Sequence, residues 1–241
     1  MISAPHPDSI EGLFARFGPA YRWLVTATVM MGTIATILTA TIVNVALPDI
    51  MGAFGMGQDK AQLLSTGFLA AMTGTMLLNA WMVEAFGQRA TFMLAVTVFI
   101  VASVIGGLAP AEGVLILARV LQGGAAGILQ PLAMQVIFQV FPPEKRGSAM
   151  GIYGIGVVLA PALGPTLGGI MVDSFSWRYV FFMSVPFCLV GLVLATLFMP
   201  GRATSGSPRR FDWIGFGLMT AFLITLLNGL SNGQRDGWFS D

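Results

Sequence analysis

Residues 156–169 read GVVLAPALGPTLGG and lie within an uncharged stretch long enough to form a membrane-spanning helix. The segment holds four glycines and two prolines, the residues that most weaken helices in water. Its small residues recur every four positions, at Gly156, Ala160, Gly164 and Gly168. Small residues at this spacing let a neighbouring backbone approach closely, and such packing drives helix association in lipid. The segment therefore predicts a membrane helix that packs tightly and bends at Pro161 and Pro165.

The composition of the whole chain agrees with a membrane protein. Of its 241 residues, 56% are hydrophobic and 10% are charged, whereas soluble domains carry roughly 25% charged residues. The net charge of +1 argues against nucleic-acid binding. His6 and Cys188 are the single histidine and cysteine, so we expect no disulfide framework, no Cys- or His-based metal site, no histidine acid–base catalysis and no cofactor.

Seven stretches are long and apolar enough to span a bilayer. Their approximate bounds are 23–47, 63–83, 91–109, 114–141, 148–172, 179–199 and 213–231. The breaks between them carry charges or turn residues. The fold class predicted from this pattern is an all-α polytopic membrane protein.

Basic residues set the predicted orientation, because Lys and Arg in short loops stay on the cytoplasmic side. A cytoplasmic N-terminus places eight of them inside: Arg16, Arg22, Arg89, Lys145, Arg146, Arg202, Arg209 and Arg210. Three then lie outside, at Lys60, Arg178 and Arg235, while Arg119 falls within a span. We therefore expect a multi-pass protein of the inner or plasma membrane with its N-terminus in the cytoplasm.

Loop lengths predict the domain organisation. Residues 1–22 form a polar cytoplasmic tail, and residues 23–199 form a compact bundle of six spans joined by short connections. A basic cytoplasmic linker follows over residues 200–212, then a seventh span over 213–231 and the start of an external loop over 232–241. Since the chain stops just after an odd seventh span, we expect it to be a fragment of a longer protein.

The fourth span contains an ionisable side chain, which is costly in a membrane and is a functional candidate by default. In LILARVLQGGAAGILQP, residues 115–131, one side of the helix is polar or small. This stripe consists of Arg119, Gln122, Gly123, Ala126 and Gln130. It either lines a water-accessible cavity or leaves Arg119 free to extend to the nearer, external surface.

Carboxylates are missing from the predicted spans, since every Asp and Glu falls at an edge or in a loop. An arginine does not release its proton near neutral pH. This part of the chain therefore lacks the usual proton carrier of a coupled transporter. Asn44, in the first span, either forms a helix–helix hydrogen bond or contacts a substrate.

Several motifs together resemble one family, the fourteen-span drug:proton antiporters of the EmrB/QacA type within the major facilitator superfamily. APALGPTLGG resembles the antiporter motif gxxxGPxxGG of the fifth span, with Ala160 for the first glycine. LILARVLQGGAAG resembles the fourth-span motif lxxxRxxqGxxaa, and ATIVNVALP, residues 40–48, resembles the first-span signature lDxTxxnvALP. The resemblance covers nearly the whole chain in order.

The resemblance implies a six-helix N-terminal bundle plus one additional transmembrane helix, working with a second bundle by alternating access. It implies efflux of hydrophobic or amphiphilic compounds in exchange for protons, with a periplasmic adaptor and an outer-membrane channel as candidate partners. The implied cavity and proton-coupling residues are Arg119, Gln122, Gly123, Gln130, Thr39 and Asn44. The implied gate-seal helix carries Gly156, Ala160, Pro161, Gly164, Pro165, Gly168 and Gly169.

Two departures from the family pattern matter. Thr39 stands where the first span usually has Asp, and a threonine forms hydrogen bonds but does not titrate. This change favours neutral or anionic substrates. The cytoplasmic loop motif, similar to GxxxDxxGRR, is incomplete: it keeps Gly87 and Arg89, but Ala80 replaces the first glycine, Glu84 the aspartate and Gln88 the first basic residue. Glu84 is expected to pair with a nearby arginine.

Alternative functions remain open. The chain is also compatible with a truncated or non-transporting membrane protein, such as a scaffold or pseudo-transporter, and with a transporter of another small molecule. An enzyme is disfavoured, because the sequence has no HExxH, no GxSxG and no paired intramembrane Asp. Because a second bundle is missing from the chain, the glycine face of residues 156–169 is expected to be exposed.

Overall fold

A computed structural model describes residues 8–201 and 211–236, and every regular element in these ranges is helical. A short amphipathic helix, α1 (Ile10–Phe17), precedes the long α2 (Tyr21–Phe54). The next helices are α3 (Gln58–Met76), α4 (Asn79–Phe86), α5 (Gln88–Gly107) and α6 (Glu112–Val140). They are followed by α7 (Pro143–Ser174), α8 (Tyr179–Phe182), α9 (Val185–Phe198) and α10 (Trp213–Asp236).

The N-terminal segment is more structured than a polar tail. The Ser9 hydroxyl caps α1 by accepting a hydrogen bond from the Gly12 N–H at 3.1 Å. Leu13 is buried in the core, and Phe17 stacks edge-on against Phe198 at the end of α9, 5.2 Å between ring centroids. The segment thereby covers one end of the bundle. The sequence predicts only a polar tail here, because a short amphipathic helix has no apolar run long enough to span a membrane.

The second predicted span, 63–83, is not one straight helix. It is broken between α3 and α4 at Leu77 and Leu78, where the two helices bend by 55°. The Thr75 hydroxyl lies 2.8 Å from the Ala71 carbonyl of its own helix and 2.8 Å from the Gly124 carbonyl of α6. A threonine that bonds back to the preceding turn bends a helix. The break follows directly after this residue.

Five helical stretches of the described ranges are long and apolar enough to cross a membrane, and the bent α3–α4 pair makes a sixth. These six correspond to the six spans predicted before residue 200, and the all-α membrane fold is confirmed. In α10, the apolar stretch Trp213–Phe222 is shorter than a span. A complete seventh crossing at 213–231 stays a prediction.

Helices α2 and α6 lie at the centre of the bundle. α6 packs against α2, α3 and α5, and α2 packs in addition against α7 and α9. More than half of the most apolar window of each central helix is buried, against 22% for α7. α7 therefore lies at the periphery and contacts the bundle mainly through α2.

The most extensive helix contact joins α3 and α6 through two glycines. A Cβ atom added at Gly123 would overlap the Phe68 carbonyl, and one at Gly127 would overlap the Met72 carbonyl and the Thr75 hydroxyl. The backbones therefore approach closely, as small residues four positions apart allow in membranes. This glycine contact fixes the spacing between the two helices.

We predict that Gly127→Ala destabilises the bundle whereas Gly124→Ala does not. The methyl group introduced at position 127 would overlap backbone atoms of α3 that cannot move aside, and overpacking of this kind costs about 1–3 kcal/mol. At Gly124 the nearest atom to a new Cβ is the Thr75 methyl carbon at 3.5 Å, an ordinary contact. Unfolding in detergent, followed by circular dichroism, measures both variants against the parent. Equal stabilities of the two variants would contradict the assigned contact.

Candidate functional site

Arg119 lies in the interior of the bundle, with 1% of its surface exposed. Its Nε donates to the Leu64 carbonyl of α3 at 3.0 Å, and its Nη1 donates to Gln122 Oε1 at 3.1 Å. The guanidinium carbon lies 4.3 Å from the centroid of the Phe68 ring, a cation–π contact. Backbone, amide and ring groups thus hold the charge from α3 and α6.

A chain of neutral groups continues from Arg119 toward α5. The Gln122 amide donates to Ser103 Oγ at 2.9 Å, and the Ser103 hydroxyl donates to the Phe99 carbonyl at 2.8 Å. All the hydrogen bonds that the structure shows for Arg119 go to neutral acceptors. A buried charge without a counter-ion is costly. The site is therefore arranged to gain free energy from any negative charge that reaches it.

These positions decide between the two interpretations of Arg119. Extension to the external surface is wrong, because the side chain is buried and turned toward α3. Contact with a water-filled cavity stays a prediction, since in this conformation the guanidinium is closed off from solvent. Of the other stripe residues, Gln122 and Gly123 are buried and Gln130 is half-buried.

Thr39 and Asn44 lie in different environments. Thr39 is 1% exposed, and its hydroxyl donates to the Ala35 carbonyl of its own helix at 2.8 Å. Asn44 is exposed and accepts a hydrogen bond from the Ser65 hydroxyl of α3 at 2.9 Å. Asn44 thus forms the helix–helix hydrogen bond that was one of its two interpretations. Its contact with a substrate stays a prediction.

The glycine face of α7 packs on α2. A Cβ added at Gly156 would lie 2.5 Å from the Met30 methyl carbon, and one at Gly168 would lie 2.8 Å from Ile42 Cγ1. At Gly164 a Cβ would overlap the Thr41 hydroxyl. The expectation that this face is exposed is therefore wrong: close packing needs a partner helix, and α2 of the same chain provides it.

The remaining residues of the predicted gate-seal helix are divided between the packed face and the other sides of α7. Ala160 is 3% exposed and belongs to the packed face, whereas Pro161 and Gly169 are half-buried and Pro165 is exposed. The opposite side of α7 is apolar and unpaired within the described chain, with Val158 67% exposed and Leu163 51% exposed. A seal made by the glycine face against a second bundle is thus replaced by a contact within this chain.

The cytoplasmic loop motif forms the turn between α4 and α5. Gly87 has φ +84°, a left-handed backbone that a side chain would strain. Arg89 Nε donates to the Met199 carbonyl at 2.7 Å, and its Nη2 donates to Asp8 at 3.1 Å. Glu84 is exposed on α4. Arg89 therefore joins the loop to the N-terminal segment and to the end of α9.

Sequence reasoning missed Ser103, Gly127 and Asp8 as parts of these sites. Gly127 carried a usable signal, because it stands four positions after Gly123, the spacing of a close helix contact. Ser103 and Asp8 carried none: a lone serine in an apolar run and a lone aspartate near a terminus are common. Their roles follow from which helices meet, and local patterns do not contain that information.

Comparison with known proteins identifies a family and several relatives of this chain. The model of the Major Facilitator Superfamily matches residues 29–231. The chain is 36% identical over 222 residues to the uncharacterized MFS-type transporter YcnB of Bacillus subtilis (strain 168), covering 92% of this chain and 47% of that protein. It is 31% identical to the multidrug export protein EmrB of Escherichia coli (strain K12), over 90% of this chain and 42% of that protein.

A third relative is the fatty acid resistance protein FarB of Neisseria gonorrhoeae, 30% identical over 92% of this chain and 44% of that protein. In structure, the chain is similar to a crystal structure of the peptide transporter POT in complex with sulfate. The TM-score is 0.68 at 16% identity, with 96% of this chain and 51% of that chain covered. This likeness shows the fold alone. The chain spans less than half the length of these three curated relatives.

We predict that Gly164→Ala weakens the α2–α7 contact and that Gly169→Ala leaves it intact. The first methyl would overlap Thr41, whereas the second would enter open space. Both substitutions remove one glycine from the same helix, so their helix propensities change alike. Susceptibility of α7 to limited proteolysis in detergent is the measurement. Equal protection of α7 in the two variants would refute the contact.

Proposed function

Because the chain belongs to the Major Facilitator Superfamily, we propose that it forms the first half of a secondary active efflux transporter. The six-span bundle, α2 to α9, would work with a second bundle by alternating access. The exported compounds would be hydrophobic or amphiphilic, in exchange for protons. On this proposal the protein is a transporter and not an enzyme.

The observation that carries the proposal is the buried, unneutralised charge of Arg119. The guanidinium is held by the Leu64 carbonyl and the Gln122 amide oxygen, and the Asp and Glu residues of α2 to α9 lie near the ends of their helices. In lipid a buried ionisable side chain is costly, which makes Arg119 a functional candidate. A carboxylate of the second half, or an anionic group of the substrate, would be stabilised when it reaches Arg119.

The proton carrier is then expected outside this bundle. Thr39 does not titrate, and Arg119 keeps its proton near neutral pH. A carboxylate in the second half would lose its proton more readily near Arg119 and regain it after moving away. Arg119 would thus couple proton release to the position of the bundles.

The substrate class follows from the site and from the relatives. The similar proteins include a multidrug export protein and a fatty acid resistance protein. A bundle with a buried cation, and with carboxylates only near the ends of its helices, favours neutral or anionic amphiphiles over cations. The exposed apolar side of α7, with Val158 and Leu163, would face lipid or the second bundle.

Membrane orientation and partners complete the proposal. The positive-inside distribution supports an inner-membrane protein with a cytoplasmic N-terminus and linker. In this orientation α1 and Arg89 would lie on the cytoplasmic side, and Lys60, which pairs with Glu112, would lie on the external side. A periplasmic adaptor and an outer-membrane channel would be partners if export crosses two membranes.

We predict that Arg119→Gln lowers proton-coupled export by roughly ten- to hundredfold, because hydrogen bonds to a charged group are worth about 1.5–3 kcal/mol. The measurement uses everted vesicles that contain the full-length protein and carry a pH gradient. Flux is recorded for a carboxylate amphiphile and for a lipophilic cation.

Lys145→Gln is the matched control, because Lys145 is an exposed cation near the start of α7, and its removal should leave flux unchanged. The carboxylate amphiphile should be exported in preference to the cation. Absence of flux for every compound in the parent protein would overturn the proposal and favour a non-transporting membrane protein.

A further inference from the structure

The break in the second span is contacted on both sides by one later segment of the chain. α3 ends at Met76 and α4 begins at Asn79, and the two helices bend by 55°. α10 packs against α3, and Phe211, just before α10, packs against α4. Phe211 and α10 therefore lie beside the break in the span.

The contact on α3 is made at Gly74, which is buried beside Thr220 of α10. A Cβ added at Gly74 would lie 3.5 Å from the Thr220 methyl carbon, an ordinary van der Waals distance. Gly74 lies two residues before the end of α3, so this contact holds the helix just ahead of the break.

The contact on α4 is aromatic. The rings of Trp81 and Phe211 meet edge to face, with 5.2 Å between their centroids and an angle of 63°. Phe211 also packs against Trp213 at 4.7 Å and against Phe216 at 5.5 Å. Aromatic pairs in this geometry attract beyond their buried area. Trp81 lies in the first turn of α4, so this contact holds the helix just after the break.

The start of α10 is itself fixed. Asp212 Oδ1 accepts a hydrogen bond from the Gly215 N–H at 2.8 Å, which caps the helix. At the other end of the linker, the Arg89 N–H donates to the Pro200 carbonyl at 3.2 Å. One described end of the linker is thus bonded to the α4–α5 turn, and the other caps α10.

We propose that Phe211 and α10 together form a brace that sets the bend between α3 and α4. A brace with one contact on each side of a break is fully engaged at a single bend angle, so it shifts the population toward that angle. α4 carries the loop motif that includes Glu84 and leads into Gly87 and Arg89. The brace thereby positions this loop, and α10 stays attached to the first bundle.

The effect of the brace on the bend can be separated from the other contacts of α4. α4 is also held to α5, since the Thr91 hydroxyl donates to the Met82 carbonyl at 3.0 Å. That bond joins α4 to the helix that follows it and does not cross the break. The brace contacts both α3 and α4, so loss of Phe211 should alter the bend while leaving the α4–α5 turn in place.

Cross-linking in native membranes tests the attachment of α10. In a Cys188→Ala background, Gly74→Cys and Thr220→Cys should be joined by a short bifunctional thiol reagent. The control pair, Phe175→Cys with Thr220→Cys, should not react, because Phe175 follows α7 at the opposite end of the bundle. Absence of the Gly74–Thr220 cross-link would overturn the proposal.

Spin labels test the bend itself. Leu63 on α3 and Ala80 on α4 are exposed, and labels at these positions report the distance across the break. We expect one narrow distance distribution in the parent and a shifted or broadened one in Phe211→Ala, with Phe211→Trp restoring the parent distribution. Phe175→Ala, an exposed aromatic remote from the break, should have no effect. A Phe211→Ala distribution identical to the parent would refute the brace.

Discussion

The close backbone approach of α3 to α6 is the constraint on which the rest of the bundle depends. Lipid offers no hydrophobic force between helices, so association relies on packing and interhelical hydrogen bonds. Gly123 and Gly127 bring the α3 carbonyls next to α6. The same approach places the Leu64 carbonyl within reach of Arg119 and the Gly124 carbonyl within reach of Thr75. The interhelical hydrogen bonds of Arg119 and Thr75 therefore depend on the close glycine packing of α3 against α6.

A second glycine contact, between α7 and α2, repeats this arrangement on the other side of the bundle. With α2 and α6 also in contact, the two glycine contacts connect peripheral helices to one central pair. These contacts favour a rigid bundle, as the proposed alternating access would require. Arg119 lies at the contact between α3 and α6, where its charge is buried. α7 packs on α2 at the periphery, and its opposite, apolar side is exposed.

Apolar runs of spanning length predicted the six crossings, and the rarity of charge in them singled out Arg119. The break after Thr75 could not be predicted, because residues 63–83 form one apolar run and the contacts on either side of the break, to α6 and to α10, come from distant parts of the sequence. The glycines of 156–169 predicted a close contact but not its partner. Local spacing shows that a face will be packed, whereas the chain's topology decides that α2 covers it.

The rigidity of the six-span bundle is tested most directly by the distance between two spin labels on opposite sides of it. Spin labels at Leu69 on α3 and Val158 on α7 sit on exposed faces of helices attached through different glycine contacts. The account predicts one narrow distance that does not change when substrate or a pH change drives the full-length protein between its conformations. A distance that shifts by several ångströms between those conditions would contradict it.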